Sequence, residues 1–319
     1  MYFPNAGIEV APWLPPFVAF GISFFTSMGG VSGAFLILPF QVSVLGFSSP
    51  AVSATNQVFN IVAIPSGVYR YIKEGRMVWP LTWAVIIGTL PGVFIGAILR
   101  IQYLPNPKNF KMFAGLVLLY IGGRLLKDLL RNKHGQGDKG SAEKEFQALV
   151  KKYRQENISR QARGQEWLPR VAVRKFSFTR TVYEFYGQSF DIPTMGIMLL
   201  SFIVGIIGGV YGIGGGAIIA PFLVSFFGLP VYTIAGAALM GTFVTSVAGV
   251  TFYHLIAPFY PNMAIAPDWA LGFLFGIGGF AGMYCGAMFQ KFVPARVIKW
   301  MLLFCILIPA GKYIWAFVR

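Results

Sequence analysis

The sequence predicts an all-α polytopic membrane protein made of two inverted repeats, with a small α+β insertion between them. Composition indicates the membrane, because 56% of the 319 residues are hydrophobic and only 12% are charged, against about 25% charge in a soluble domain. Residues 13–69 contain no Asp, Glu, Lys or Arg. Since a helix of about 20 apolar residues crosses a bilayer, this stretch alone is long enough for two spans.

The apolar residues form eight blocks, four before a polar segment and four after it. This arrangement predicts a first transmembrane repeat at residues 1–127, a polar insertion at 128–191 and a second repeat at 192–319. Weak internal symmetry of this kind is typical of repeat-built transporters. The blocks are residues 14–46, 50–71, 78–101 and 110–126 in the first half, and 192–228, 231–257, 269–292 and 297–318 in the second.

The two halves carry glycine and proline at matching positions, which indicates an internal duplication. When Pro39 is aligned with Pro221, the next residues, Phe40 and Phe222, also match. Two unrelated apolar helices would not keep so many of these residue types in register. The other matched pairs are Gly30 with Gly212, Gly33 with Gly215, Gly46 with Gly228, Asn60 with Thr242, and, in the later spans, Gly88, Gly92 and Gly96 with Gly278, Gly282 and Gly286.

Glycine interrupts the first block of each half, and this predicts a broken helix at membrane depth. Glycine disfavours a helix interior by up to ~1 kcal/mol per residue, and both first blocks are too long for one ordinary span. We therefore predict two short half-helices in each first block, folded as a re-entrant hairpin and followed by three spanning helices. Matching interrupted segments of this kind indicate the substrate site of a transporter.

The basic residues favour this hairpin topology, because cytoplasmic loops of membrane proteins are enriched in Lys and Arg. With the N-terminus outside, the two hairpins place most basic residues, including those of the insertion, in the cytoplasm. Arg100, Lys108 and Lys111 are the exceptions. If each first block were a single span, the basic cluster at residues 291–299 would join these exceptions.

The polar insertion at 128–191 predicts one helix and several short strands. Residues 141–163 place apolar side chains on one helical face, and residues 169–192 alternate apolar and polar side chains, which is typical of strands. The basic charge of the insertion predicts contact with the anionic headgroups of the bilayer. A regulatory binding module is the alternative.

The glycine breaks are the candidate substrate site. A half-helix that begins after a break offers free backbone N–H groups and the positive end of its dipole, which suits an anion. Polar residues of the next block would line this site or instead bond neighbouring helices, and the glycines also fit close helix packing. The candidate substrate-binding residues are Gly30, Ser32, Gly33, Ala34, Asn56, Asn60, Tyr211, Gly214, Gly215, Gly216 and Thr242.

Two further sets of residues have more than one interpretation. Arg124 and Lys312 form a matched pair of cations near the ends of their spans. They either bind the anion or extend along the helix to the membrane surface. The glycines spaced by four in the third span of each half are predicted to be packing faces.

The sequence excludes several functional classes. No Asp or Glu lies in any apolar block, so a carboxylate for proton or sodium coupling is missing, and no catalytic or metal-binding motif is present. Cys285 and Cys305 are too few for a disulfide framework. We therefore expect no enzyme activity, no metal or cofactor and no nucleic-acid partner. An anion leaving a negative cytoplasm gains about 2.3 kcal/mol per charge at 100 mV, so export needs no coupling ion.

Residues 211–223 read YGIGGGAIIAPFL, and residues 28–39 read MGGVSGAFLILP at the matching place in the first half. Together these motifs resemble the TauE/SafE family of sulfite and organosulfonate transporters. Residues 186–193, YGQSFDIP, resemble the entry to the second half in family members with a long insertion. The first half departs from the pattern at Ser32 and Ala34, where the second half has glycine.

The resemblance implies a permease for sulfite, an organosulfonate or a similar sulfur-containing anion. We predict a multi-pass protein of the bacterial inner membrane that exports such an anion, held at the membrane midplane by the half-helix N-termini of both breaks. An anion channel, or a membrane-embedded sensor with the cytoplasmic insertion as its output, is the alternative. A homodimer is compatible with the sequence, although nothing in it requires one.

Overall fold

The computed structural model describes most of both apolar halves and a smaller part of the polar insertion. The described residues are 1–28, 32–73, 75, 77–131, 148, 152–153, 155–160, 162–163, 171–229, 231–289 and 295–318.

The first half is a series of helices that follows a short N-terminal hairpin. In this hairpin, strand β1 (Tyr2–Phe3) pairs antiparallel with strand β2 (Ile8–Glu9). The predicted break in the first apolar block is confirmed, because Ser32 and Gly33 lie outside any helix and the next helix begins at Ala34. The helices are α1 (Leu14–Met28), α2 (Ala34–Ser43), α3 (Ala51–Ala63), α4 (Pro65–Lys73), α5 (Trp79–Gln102) and α6 (Pro107–Arg131).

The second half begins with a small sheet and continues as helices. The short strands predicted from the alternating pattern are present as a three-stranded antiparallel sheet in the order β3-β4-β5, and β5 leads directly into the first helix of this half. Residues 155–160 are helical, whereas most of the predicted helix at 141–163 lies outside the described residues. The elements are β3 (Val171–Phe176), β4 (Arg180–Phe185), β5 (Gln188–Pro193), α7 (Thr194–Tyr211), α8 (Gly216–Phe227), α9 (Val231–Ile256), α10 (Trp269–Phe289) and α11 (Ala295–Val318).

Several helices have the length and composition of membrane spans. Five of those in the described residues are long and apolar enough to cross a bilayer. Large apolar side chains such as Trp83, Leu199 and Phe273 are half exposed on their outer surfaces, where lipid rather than water is the compatible solvent. The five are Trp79–Gln102, Pro107–Lys127, Thr194–Tyr211, Thr233–Phe259 and Trp269–Gly286.

The glycines spaced by four residues are packing faces, as predicted. A Cβ atom on Gly88 would lie 2.5 Å from the Met198 carbonyl oxygen, so α5 and α7 approach closely along their length. A Cβ atom on the matching Gly278 would lie 2.0 Å from the Pro16 carbonyl oxygen, where α10 meets α1. Met198 and Pro16 are themselves equivalent in the alignment of the two halves. Each half therefore contributes a glycine face that receives the first helix of the other half.

Equivalent helices of the two halves run in opposite directions where they touch. Gly115 of α6 faces Tyr313 of α11, and Gly122, further along α6, faces Leu307, which comes earlier in α11. Helices α6 and α11 are therefore antiparallel. The pair formed by the α3–α4 segment and α9 is also antiparallel, since contacts pass from Asn60 with Ser246 to Gly67 with Leu239.

Helices α7 and α8 also lie antiparallel, so the chain doubles back at the second glycine break. Near the break, Gly208 of α7 touches the backbone of Gly214. At the far end of α8, the Phe227 ring lies 3.5 Å from the position of a Cβ on Gly196, close to the start of α7. At the first break, the N-terminus of α2 likewise lies beside α1, with Gly33 against Ser23.

One element boundary differs from the expected blocks. The second block, residues 50–71, contains two helices rather than one, because α3 ends at Ala63 and α4 begins at Pro65. Proline has no N–H group to donate to the preceding turn, so the regular bonding of α3 stops at this position. The Ile64 carbonyl nevertheless accepts from the Val68 N–H at 3.1 Å, so the two helices continue one after the other.

Candidate functional site

The second break is a left-handed turn that only glycine fits. Gly212 and Gly214 have φ values of 77° and 74°, a region that glycine adopts without steric cost. A Cβ atom on Gly212 would also overlap the backbone of Ser53. This close approach presses the break of the second half directly onto helix α3 of the first half.

Helix α8 begins immediately after this turn, in close contact with α9. A Cβ atom on Gly216 would lie 2.5 Å from the backbone nitrogen of Thr242. The Gly215 N–H donates to the hydroxyl of Thr245 at 3.2 Å. The predicted site residues Gly214, Gly215, Gly216 and Thr242 therefore lie together, and all of them are buried.

The first break is fixed by the hydroxyl of Ser32. This hydroxyl donates to Asn60 Oδ1 at 2.9 Å and accepts from the Ala34 N–H at 3.3 Å. Gly33 is the N-cap residue of α2. Ser32, Gly33 and Ala34 are all buried, whereas Gly30 lies outside the described residues.

Two asparagines of α3, one turn apart, join the two breaks. Asn56 Nδ2 donates to the Ala34 carbonyl at 3.0 Å in the first break and to the Gly212 carbonyl at 3.1 Å in the second. Asn60 Nδ2 donates to the Ile213 carbonyl at 3.0 Å. Because Asn60 also accepts from Ser32, each asparagine contacts both breaks.

Tyr211 forms a further link between the halves. Its hydroxyl donates to the Phe35 carbonyl, in the first turn of α2, at 3.0 Å. In the opposite direction, the Ser53 hydroxyl donates to the Val210 carbonyl at 3.1 Å. The described candidate residues therefore lie around a single centre, at which both breaks meet the polar face of α3.

Comparison with known proteins agrees with this architecture. A family model described as Sulfite exporter TauE/SafE matches residues 16–313. The chain belongs to the TauE/SafE family. No curated protein and no solved structure matches the chain.

Membership of the TauE/SafE family confirms the resemblance seen in the two glycine motifs. It makes the chain a multi-pass membrane protein of a transporter family, in agreement with its apolar helices. The match includes both halves and the insertion between them, so the site at the two breaks lies within the region that defines the family.

The candidate site of this TauE/SafE member contains two helix N-termini. Neither N-cap residue, Gly33 of α2 or Gly215 of α8, has a side chain that caps its helix, although the Ser32 and Thr245 hydroxyls each accept from one N–H group there. Helix N-termini present N–H groups without intrahelical partners and a partial positive charge. Within the described parts of the chain, no group of three or more His, Cys, Asp or Glu residues is placed to hold a metal ion.

The cationic pair at the ends of the spans does not lie at this centre. The Arg124 guanidinium lies 5.9 Å from the centres of the Tyr120 and Phe222 rings, on the side of α8 that faces α6. Lys312 is exposed on α11. Both positions agree with the interpretation in which these side chains extend along their helices to the membrane surface instead of binding the anion.

Sequence reasoning missed several groups of the site. The carbonyls of Gly212 and Ile213 accept from the two asparagines. Every residue has a backbone carbonyl, so residue type does not indicate which carbonyls belong to the site. Gly212, however, was already marked by its match with Gly30 in the aligned halves.

Proposed function

We propose that this protein exports a small sulfur-containing anion, such as sulfite or an organosulfonate, and binds it between the N-termini of α2 and α8. The observation that carries this proposal is the meeting of both glycine breaks on one face of α3, through Asn56 and Asn60. Close helix packing through small residues would explain a single break. It does not explain why both breaks are bonded to the same pair of polar side chains, and this arrangement supports a binding site.

Binding would use N–H groups rather than side-chain cations. The first turns of α2 and α8 supply N–H donors and the positive ends of two dipoles, which together favour an oxyanion. The Ser32 hydroxyl now donates to Asn60, and rotation about its Cα–Cβ bond would redirect it to the substrate. Such binding neutralises the anion without a fixed positive charge, so the anion can still leave.

The fold we propose is an inverted repeat with two re-entrant hairpins, α1–α2 and α7–α8. The antiparallel contacts of α6 with α11 and of α3–α4 with α9 support inversion, because equivalent spans of parallel repeats would run the same way. The contact of Phe227 with Gly196 supports the second hairpin. The repeats would be residues 1–127 and 192–319, with the insertion at 128–191 between them.

We further propose that the N-terminus faces outward and that residues 128–191 lie in the cytoplasm of a bacterium, beneath the inner membrane. The distribution of basic residues supports this orientation. The basic insertion would then face anionic headgroups of the inner leaflet. Two copies of the chain forming a homodimer would be compatible with the fold.

A carrier fits the site better than a channel. Ser32, Asn56, Asn60 and Gly215 are all buried, so an anion at this position would be enclosed by protein. A carrier alternates between access from each side by moving one structural unit against another around a fixed site. The hairpins, which hold the breaks, are the natural moving units.

The test is flux of labelled sulfite and small sulfonates into proteoliposomes under an imposed potential. We compare the wild-type chain with Gly215→Leu, since even a Cβ atom there would lie 2.6 Å from the Thr89 side chain. Gly123→Leu is the matched control, because a Cβ atom there meets open space on α6. The expected result is saturable, potential-driven flux in the wild type and control and its loss in Gly215→Leu.

Two outcomes would contradict the proposal. Absence of flux for every sulfur-containing anion, with the wild-type protein folded and inserted, would remove the substrate class. Rapid flux that does not saturate would indicate a channel instead of a carrier.

A further inference from the structure

One group of buried polar side chains without hydrogen-bond partners lies between the glycine breaks and one end of the helical bundle, while others, such as Gln41 and Ser201, lie elsewhere. Ser49 Oγ, Asn56 Oδ1, both amide atoms of Gln57 and Arg100 Nε are buried and unpartnered. We call these four residues, together with Tyr253, the polar strip. Buried polar atoms in native proteins are almost always paired, so a cluster of exceptions has a cause.

The strip begins at the site, with the oxygen of Asn56. Its amide nitrogen is fixed by the carbonyls of Ala34 and Gly212, so the amide cannot turn around to pair its oxygen instead. The next residue, Gln57, points across to α9, where a Cβ atom on Gly249 would lie 2.8 Å from its Nε2. Neither end of the Gln57 amide has a partner.

From Gln57 the strip continues along α9 to Tyr253, one helical turn beyond Gly249. Tyr253 is fully buried and lies next to Arg100 of α5 and Ser53 of α3. It packs in a small cluster with Ala54 and Ile101. The strip therefore passes between α3, α5 and α9, at the ends of these helices opposite to α4.

Arg100 closes the strip at that end of the bundle. Its side chain is fully buried in the last turn of α5. The guanidinium lies 3.8 Å over the Phe110 ring and donates to the carbonyls of Leu104 and, at 3.0 Å, Ser48. The ion pairs found among the described residues do not include Arg100, so its charge is met by carbonyls and the Phe110 ring rather than by a carboxylate.

A buried cation without a counter-charge is costly to fold, and so are buried amide groups without partners. In the proposed topology Arg100 is also at the outer end of α5, where the positive-inside rule disfavours a cation. Both costs are explained if an anion and water occupy this strip in another conformation, because they would then pair the groups that are unpaired here.

We propose that the polar strip is the outer half of the transport pathway, closed in this conformation, and that Arg100 is the exit cation to which the departing anion passes. The inference rests on the proposed function, because it takes the glycine breaks as the binding site. Arg100 also holds the loop residues Ser48 and Leu104 together. In this conformation those loops cover the strip, and they would separate to open the exit when the anion leaves.

The first test is cysteine accessibility in a chain from which Cys285 and Cys305 have been removed. Gln57→Cys is treated with a membrane-impermeant thiol reagent from the side at which α3 begins. Val58→Cys is the control on the same helix, because Val58 is buried against Gly272 of α10 instead. We expect Gln57→Cys to react, more slowly with a small sulfonate present, which unlike sulfite does not consume the thiol reagent, and Val58→Cys to stay unmodified.

Equal labelling of the two cysteines, or labelling of Gln57→Cys only from the opposite side, would overturn the proposal. Either result would mean that the strip does not open toward the face where α3 begins. The flux experiment described above separates this failure from failure of the proposed function. If the wild type transports and Gly215→Leu does not, the binding site at the glycine breaks stands, regardless of how Gln57→Cys is labelled.

The second test is the charge at position 100. We expect Arg100→Gln to raise the half-saturating concentration of sulfite added from the outer side at least about ten-fold, since a hydrogen bond to a charged group contributes this much to affinity. Arg100→Lys should recover part of the loss. Lys108→Gln, which removes a nearby cation that lies over Phe317, is the control for surface charge.

A folded Arg100→Gln protein with unchanged half-saturation from the outer side would show that Arg100 only holds the loops. The same conclusion would follow if Arg100→Gln and Lys108→Gln changed it equally. If Arg100→Gln does not fold, the Gln57→Cys labelling decides the proposal alone.

Discussion

Asn56 and Gly212 are 156 positions apart in the chain and are joined by a hydrogen bond of 3.1 Å from the asparagine amide to the glycine carbonyl. The same amide nitrogen bonds the Ala34 carbonyl of the other break. One side chain thus sets the separation of the two half-helix N-termini, between which we propose that the anion binds.

Asn60 is expected to be essential for both stability and transport. Asn60→Ala removes the donor to the Ile213 carbonyl and the acceptor of the Ser32 hydroxyl, and leaving a buried polar group unsatisfied costs about 1–3 kcal/mol. We expect a lower thermal unfolding temperature and a loss of most sulfite flux. Gln102→Ala, at the exposed C-terminal end of α5, is the control and should change neither. Full flux in Asn60→Ala would contradict the role given to this residue.

Tyr211→Phe removes only the hydroxyl that bonds the Phe35 carbonyl at 3.0 Å. The expected loss is about 0.5–1.5 kcal/mol of unfolding free energy, with a changed rate of transport because α2 is no longer held to α7. The measurement compares flux and detergent-solubilised unfolding with those of Tyr103→Phe, whose ring is 69% exposed. An identical effect of both substitutions would show that the Tyr211 bond is unimportant.

The glycine faces make a symmetric prediction. Gly88→Ala and Gly278→Ala each place a Cβ atom against the backbone of a neighbouring helix, and overpacking of this kind costs about 1–3 kcal/mol. Because the two positions are equivalent in the aligned halves, their losses should be similar when unfolding is followed in the same detergent. Gly123→Ala should be neutral. A large loss at one position and none at the other would argue against equivalent packing.

The insertion gives a prediction that separates a transporter from a sensor. A chain lacking residues 141–163 retains the sheet β3–β5, whose Thr181 hydroxyl contacts that of Thr194 at the start of α7. We expect this shortened chain to transport sulfite at a rate close to that of the full chain. Complete loss of flux in a folded, inserted protein would favour an output or regulatory role for the segment.

Much of the fold follows from the sequence because glycine and proline mark backbone geometry directly. The break at Gly212–Gly215 was predicted from residue type alone, because glycine disfavours a helix interior. The structure adds that Gly212 and Gly214 have positive φ, which favours glycine. The packing faces at Gly88 and Gly278 were predicted from spacing. The interruption of the second block at Pro65 was not predicted, although a proline inside a helical pattern indicates a helix boundary.

The inner arrangement of the site required the structure. Asn60 was a candidate because it is polar and aligns with Thr242, but which atoms it bonds depends on a partner more than 150 residues away. Arg100 was noticed only as an exception to the distribution of charge. Its complete burial over Phe110 arises from packing between α5 and α6, which no local pattern specifies.

The most direct test of the central claim is to locate a bound anion. Crystals of the protein soaked with selenite, a heavier analogue of sulfite, would show the anion through the anomalous scattering of selenium. We predict a peak between the N-termini of α2 and α8, within hydrogen-bonding distance of N–H groups in their first turns near Gly33 and Gly215. A peak beside Arg124 or Lys312, with none at the glycine breaks, would contradict the account.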